Sequence, residues 1–394
     1  MTGSLRIVTV VGTRPEVIRL SRVLPRLDAC SDHHLVHTGQ NFDYALNQIF
    51  FDELRLRPPD RYLGVDTSSL GHVLGGTLVG VEEALREIEP DALLVLGDTN
   101  SCIAALMARR MHIPVYHMEA GNRCFDANVP EETNRRLVDH ISDFNLVYTE
   151  HARRNLLAEG LHPRRILLTG SPMAEVLDHY APDIAASNVL ERLQLEPGGY
   201  LLVSAHREET VDHPDRLGEL LATLATAGKR YDRPVVVSTH PRTRKRLTGI
   251  EESVEGLIFH QPFGFFDYVR LQQDAFCVLS DSGTISEESA ILGFPAITLR
   301  DSIERPEALE AGAIVTTGLD ASVVINAIDL VGDQRAAGER PDTPSEYRVL
   351  TCSQRVANII RSTAHSHHRL SAVRRPSNAR PDAVASPPNI VLPK

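Results

Sequence analysis

Short apolar runs rich in β-branched residues alternate with longer stretches whose apolar positions recur every three or four residues, and they do so through most of the chain. This alternation predicts parallel βαβ units. In the first half the strand-like runs are RIVTVV (6–11), ALLVL (92–96), PVYHM (114–118), NLVYT (145–149) and ILLTG (166–170). The second half repeats the pattern with YLLVSA (200–205), PVVVST (234–239), LIFH (257–260), FCVLS (276–280) and AITL (296–299). Two α/β domains are predicted, each a Rossmann-like doubly wound sheet, over residues 1–172 and 173–345. The polar, Pro-containing stretch near 170–198 is the expected hinge. Past residue 365 the chain has little apolar periodicity and five prolines, which predicts a disordered tail over 365–394.

Composition narrows the function. At 394 residues the chain is long for one core. Its 41 basic against 52 acidic residues give a net charge of −11, which argues against a nucleic-acid partner or a polybasic membrane binder. No apolar run approaches the roughly 20 residues of a membrane span, and the N-terminus has no charged leader with an apolar core, so the expectation is a cytoplasmic protein. Cys30, Cys102, Cys124, Cys277 and Cys352 are odd in number and lack metal-type pairing, which predicts reduced thiols and no metal.

Open parallel sheets bind ligands at the carboxyl ends of their strands. Those positions carry GTRPE (12–16), GDTNS (97–101), HMEAGNR (117–123), SAHREE (204–209) and SDSGTISEE (280–288). In the last of these, Ser282 can cap a helix whose positive end Glu287 and Glu288 favour. The same geometry can equally hold a phosphate, with Glu288 accepting bonds from a ribose. Singly, Asp98 can cap a helix, His206 can be structural, and Glu119 can pair with Arg123. Their shared place at strand ends points instead to one interdomain cleft. There is no GxGxxG at the first strand–helix turn and no GxxxxGK[ST] anywhere, so dinucleotide redox chemistry and P-loop hydrolysis lose their support. What remains is a phosphate clamp of Arg14, Arg19, His206, Ser282 and Arg305, with Glu288 for a ribose. Asp98, Glu119 and Glu131 suit proton transfer on opposite faces of a sugar ring. Cleavage at the anomeric carbon of a nucleotide sugar, by transfer or elimination, fits this set.

The series GTRPE, TGQ, GDT, EAGNR, PEETNRR, AHRE, DSGTISEE and ERPEALEAG resembles, in this order and from about residue 5 to about 363, the non-hydrolysing UDP-N-acetylglucosamine 2-epimerase family. The resemblance implies two Rossmann-like domains in the GT-B arrangement, a homodimer, a UDP-sugar substrate and no cofactor. It also implies C2 inversion by elimination of UDP to a 2-acetamidoglycal and re-addition. Asp98, Glu119, Glu131 and His206 fall on catalytic positions, and Arg14, Arg19, His206, Ser282, Gly283, Thr284, Glu288 and Arg305 on UDP-binding ones. Which carboxylate removes the C2 proton stays open.

Arg19 stands where many members have Lys, which offers phosphate a planar fork. Asp43 and Glu208 stand near positions that hold a second, activating UDP-N-acetylglucosamine in some members, and the local sequence departs there. MEAGNRCFDANVPEETNRRLVDHISDFN, TEHARRNLLAEG and TGSPMAEVL look more like the branch that converts UDP-2-acetamido-2,6-dideoxy-L-talose into UDP-N-acetyl-L-fucosamine. On that branch Phe125 and Phe42 would face a 6-methyl group, although core packing explains each singly. The C-terminal YRVLTCSQRVANIIRS resembles the same branch and implies a helix, within 346–364, that crosses back to the first domain. The alternatives are a UDP-N-acetylglucosamine/UDP-N-acetylmannosamine 2-epimerase and, more distantly, a GT-B glycosyltransferase.

Overall fold

The computed structural model describes residues 4–39, 48–126, 128–205, 207–239, 246, 256–300 and 304–367. His206, Phe42 and Asp43 lie outside them, as does the predicted tail beyond 367, and the side chain of Glu208 is not described either.

The first sheet holds β1 (Arg6–Val11), β2 (Asp32–His37), β3 (Arg61–Tyr62), β4 (Ala92–Leu96), β5 (Val115–Met118), β6 (Phe144–Val147) and β7 (Ile166–Leu168). Its order is β3-β2-β1-β4-β5-β6-β7, and each neighbouring pair is parallel. The second sheet holds β8 (Leu201–Ser204), β9 (Val235–Ser238), β10 (Leu257–His260), β11 (Cys277–Ser280), β12 (Ala296–Thr298) and β13 (Val315–Thr316). Its order is β10-β9-β8-β11-β12-β13, again parallel throughout. The predicted pair of Rossmann-like domains is therefore present. Each sheet reverses its winding once, between β1 and β4 and between β8 and β11, and these switch points are where such folds open a crevice.

The central strands, β1, β4 and β5 in the first sheet and β8, β9 and β11 in the second, are largely apolar and buried because helices cover both faces of each sheet. Ile7, Val11, Leu94, Met118 and Leu146 form one buried layer with Val17, Leu20, Leu24 and Leu27 of the following helices. That layer does not stop at the domain edge. Phe265 and Val269, from the second domain's helix Phe265–Asp274, are part of it. The predicted hinge stretch folds into three short helices, Met173–His179, Ala181–Ala185 and Val189–Leu193. Met173, Val176, Leu177, Tyr180 and Ile184 pack in the first core, whereas Val189 packs in the second, so the chain changes cores between Ile184 and Val189. It returns beyond Tyr347, which sits in the second core, through the helix Cys352–Thr363, whose Cys352, Val356, Ala357 and Ile360 complete the first. A short 3₁₀ turn, Ala364–Ser366, continues this helix. Among the described residues no helix is long and apolar enough to cross a membrane.

Candidate active site

The turn after β1 is built by Glu16. Its Oε2 accepts from the backbone N–H of Gly12 at 3.0 Å and of Thr13 at 2.7 Å, and from the Thr13 hydroxyl at 2.8 Å. The Ser101 hydroxyl donates to its other oxygen. This is a capping box, with the glutamate turned back on the helix start. Buried and committed to the turn, Glu16 stays out of the cleft that Arg14 and Arg19 line.

Arg14 lies over the Phe50 ring, 5.3 Å from its centroid, and makes no ion pair among the described residues. Burial lowers its pKa from the ordinary value, against the pull of Tyr268 and Glu288. A partly buried cation that makes no ion pair among the described residues can take an anionic ligand. It lines an interdomain cleft with Pro15, Arg19, Ser204, Tyr268, Ser282, Thr284 and Glu288, which encloses roughly 790 Å³ with its open mouth included. Tyr268 and Glu288 come from the second domain, Arg14 and Arg19 from the first.

The two adjacent glutamates of SDSGTISEE diverge. Its helix spans Ile285–Leu292 with Thr284 at the cap, so Ser282 stands two residues earlier, within the turn. There the Ser282 hydroxyl accepts from Thr284 N–H at 3.3 Å and pairs with the Thr284 hydroxyl at 3.0 Å. Glu288 lines the cleft, accepts from Gln272 Nε2 at 2.6 Å, and has its pKa raised by burial. Glu287 is 0% exposed and joins a ring of charge instead. Its Oε1 takes Arg19 at 3.0 Å and Arg305 Nε at 2.6 Å. Glu119 closes the ring, receiving Arg19 at 2.7 Å on one oxygen and Arg305 at 2.6 Å on the other. Arg19 and Glu119 belong to the first domain, Glu287 and Arg305 to the second. Gly283 lies beside this ring, and a Cβ there, 2.7 Å from an Arg305 nitrogen, would push that guanidinium aside.

A second cluster adjoins it. Asp98 takes Arg135 at 2.6 Å, and the same guanidinium reaches Glu304 at 3.0 Å. Arg207 and Arg300 also reach Glu304, at 3.3 and 3.0 Å. Burial alone would raise the Glu304 carboxyl, but the surrounding guanidiniums outweigh it and hold it well below the usual range. Glu131, at the start of the helix Pro130–Ile141, has no ion pair among the described residues, and burial together with the Asp98 charge raises its pKa. Beside the cleft stand two guanidinium-paired carboxylates, Asp98 and Glu304, and one carboxyl, Glu131, whose pKa is raised, a contrast of environments that lets neighbouring acids take different roles.

The loop after β5 carries Glu119 in the left-handed region at φ 64°, a costly conformation for a glutamate. It persists because its surroundings are fixed. His117 is buried, Nδ1 within 2.9 Å of Asp139 and Nε2 within 2.7 Å of the Gly97 carbonyl. Asp139 also accepts from Gly121 N–H at 3.1 Å and from Arg123 at 2.8 Å. Gly121 has φ 81°, and any Cβ would strike the Ala152 carbonyl at 2.4 Å. Arg123 therefore does not pair with Glu119; it forks onto Glu159, at 2.8 and 2.7 Å. Asp98 likewise caps no helix, because Thr99 precedes the turn Asn100–Ile103.

The structure brings Arg14, Arg19, Ser282, Gly283, Thr284, Glu288 and Arg305 together around the cleft and its ring, with Glu119 in the ring and Asp98 and Glu131 in the neighbouring cluster. Phe125, at φ 56° and 73% exposed, is on the surface. Glu287, Arg135 and Glu304 escaped the sequence reading as functional residues. Glu287 was visible only as a helix-end acid, and nothing local signals a contact with residues more than a hundred positions away.

The family model described as UDP-N-acetylglucosamine 2-epimerase matches residues 26–361. The UDP-N-acetylglucosamine 2-epimerase of Methanocaldococcus jannaschii is 34% identical over 350 residues, 86% of this chain and 95% of that one. The UDP-2,3-diacetamido-2,3-dideoxy-D-glucuronate 2-epimerase of Pseudomonas aeruginosa is 32% identical over 328 residues, 82% and 91% of the two chains. A structure of UDP-N-acetylglucosamine 2-epimerase from Rickettsia bellii superposes with a TM-score of 0.87 at 42% identity, covering 94% of this chain and 100% of that one.

Proposed function

We propose that this chain, which belongs to the non-hydrolysing UDP-N-acetylglucosamine 2-epimerase family, inverts C2 of UDP-2-acetamido-2,6-dideoxy-L-talose to give UDP-N-acetyl-L-fucosamine. The observation that carries the chemistry is Glu119, a proton acceptor held between Arg19 and Arg305 at the edge of a cation-lined interdomain cleft. On this reading Glu288 holds the ribose, and Arg14, Arg19, Arg305 and the Ser282–Gly283–Thr284 turn take the diphosphate, with His206 beside it. A hydrogen on C2 is too weakly acidic for a carboxylate to remove directly. As the C1–O bond breaks, its electron pair leaves on UDP and the arginines stabilise the growing charge. Positive charge developing at C1 acidifies the C2 hydrogen, and a carboxylate among Asp98, Glu119 and Glu131 removes it as the C1–C2 double bond forms. UDP then adds back at C1 while a proton arrives on the opposite face of C2. No nicotinamide or metal enters these steps.

The dideoxy-talose assignment rests on the MEAGNRCFDANVPEETNRR and TGSPMAEVL stretches. A second reading, with UDP-N-acetylglucosamine as substrate, is favoured by the names of the relatives in Methanocaldococcus jannaschii and Rickettsia bellii. The diacetamido-glucuronate relative in Pseudomonas aeruginosa supports the view that modified hexosamines can be substrates on this scaffold. We place the enzyme in the cytoplasm as a homodimer, the usual state in this family. An NMR time course with each sugar nucleotide tests the choice. Conversion of the talose derivative alone is expected; conversion of UDP-N-acetylglucosamine alone would establish the second reading, and no conversion of either would defeat both.

A further inference from the structure

Glu287 is the most deeply buried member of the charged ring, and the proposed chemistry has given it nothing to do. It sits beside Glu288 in sequence yet points away from the ribose side, onto Arg19 of the first domain and Arg305 of the second. The Ser171 hydroxyl donates to its other oxygen, so three partners hold it. Glu119 is the shallower carboxylate, with its side chain 11% exposed against 0% for Glu287.

An incoming diphosphate must take guanidinium hydrogen bonds that both carboxylates share. Each carboxylate has three partners, Glu119 taking Asn122 as well as the two arginines; the one given up is the less buried, because stripping Glu287 would strand a charge in a dry interior. We propose that Glu287 is a positioning residue that divides Arg19 and Arg305 between two carboxylates, so that substrate displaces Glu119 and frees it to exchange a proton with the sugar. The free enzyme thereby keeps its reactive carboxylate ion-paired, and substrate itself releases it. This inference rests on the epimerase reading given above.

Glu287→Gln keeps the shape and removes the charge. Both guanidiniums then answer to Glu119 alone, and a nearby negative charge that had opposed its ionisation is gone. In kcat/KM against pH, which reports the free enzyme, the acid limb moves down by on the order of one pH unit. Turnover falls roughly tenfold or more while calorimetry still detects UDP binding. Arg305→Lys shifts the limb the other way, because an ammonium cannot bridge both carboxylates and Glu119 loses part of its cationic support. This second variant carries the test if Glu287→Gln does not fold. Opposite displacements support the proposal, as does the upward shift of Arg305→Lys where Glu287→Gln does not fold. An acid limb unmoved in the folded variants overturns it, even if turnover falls. Failure of the wild-type enzyme to epimerise either sugar overturns the underlying reading as well, so the two failures are distinguishable.

Discussion

Glu287 and Glu288 are neighbours on one short helix, and successive helical positions point about 100° apart, so each meets a different environment. Glu288 meets Gln272 and the cleft; Glu287 meets Arg305 of its own domain and, across the domain gap, Arg19 and Ser171. Replacing Glu288 by Ala should weaken UDP binding by roughly 1.5 to 3 kcal/mol, the usual cost of losing a hydrogen bond to a charged group. Calorimetry showing unchanged affinity would return Glu288 to a helix-end role. The amides Asp98→Asn, Glu119→Gln and Glu131→Gln keep shape while removing a proton acceptor. At least one should lose about 10² to 10⁴ in turnover and still bind UDP. Three near-normal variants would contradict the assignment. Glu131 opens the helix Pro130–Ile141, whereas Asp98 and Glu119 were legible because each follows a strand at a sheet's carboxyl end. Their pairing was not, since Arg135 reaches Asp98 across 37 positions and Arg305 reaches Glu119 across 186.

At the scale of elements, β1, β4 and β10 run as the apolar pattern predicts, and the other predicted strands are found with ends displaced by one or two residues. Three strands went unread. β2 is DHHLVH, a sequence of histidines and an aspartate that becomes a strand because β1 pairs with it along its full length. β3 and β13 have only two residues each, too few to show a period. The loop HMEAGNR was visible as a strand end, but its support was not. His117 and Arg123 are the ends of the loop itself, but Asp139 and Glu159 come from later in the chain and join them only in the fold. Hydrogen bonds from the Arg123 fork, with His140 alongside, hold Glu159 down at about 2. Its folded pKa lies below its unfolded value of about 4.3, so its contribution is complete above that pH and is lost as pH falls toward 2. Glu159→Gln should therefore lower Tm at neutral pH and flatten the fall of Tm between about pH 4.3 and 2. Thermal melts with parallel slopes for the two proteins would show that the Arg123–Glu159 fork does not support the loop.

For the whole molecule, the two domains were legible from repeated strand–helix alternation, and the family from the order of its strand-end motifs. What stayed hidden is that the domains share a core through Phe265 and Val269 and share a ring of four charges through Arg19, Glu119, Glu287 and Arg305. A cleft made this way brings cations and carboxylates of both domains together, which is what coupled C–O cleavage and C2 deprotonation would require. The central claim is that inversion proceeds by loss and return of UDP. Running the reaction in D₂O, while monitoring C2 by NMR and searching the mixture for free UDP with a 2-acetamidoglycal, tests it most directly. Loss and return of UDP gives product deuterated at C2 and a detectable UDP–glycal pair; product that keeps its original C2 hydrogen, with no glycal under any condition, is incompatible with it.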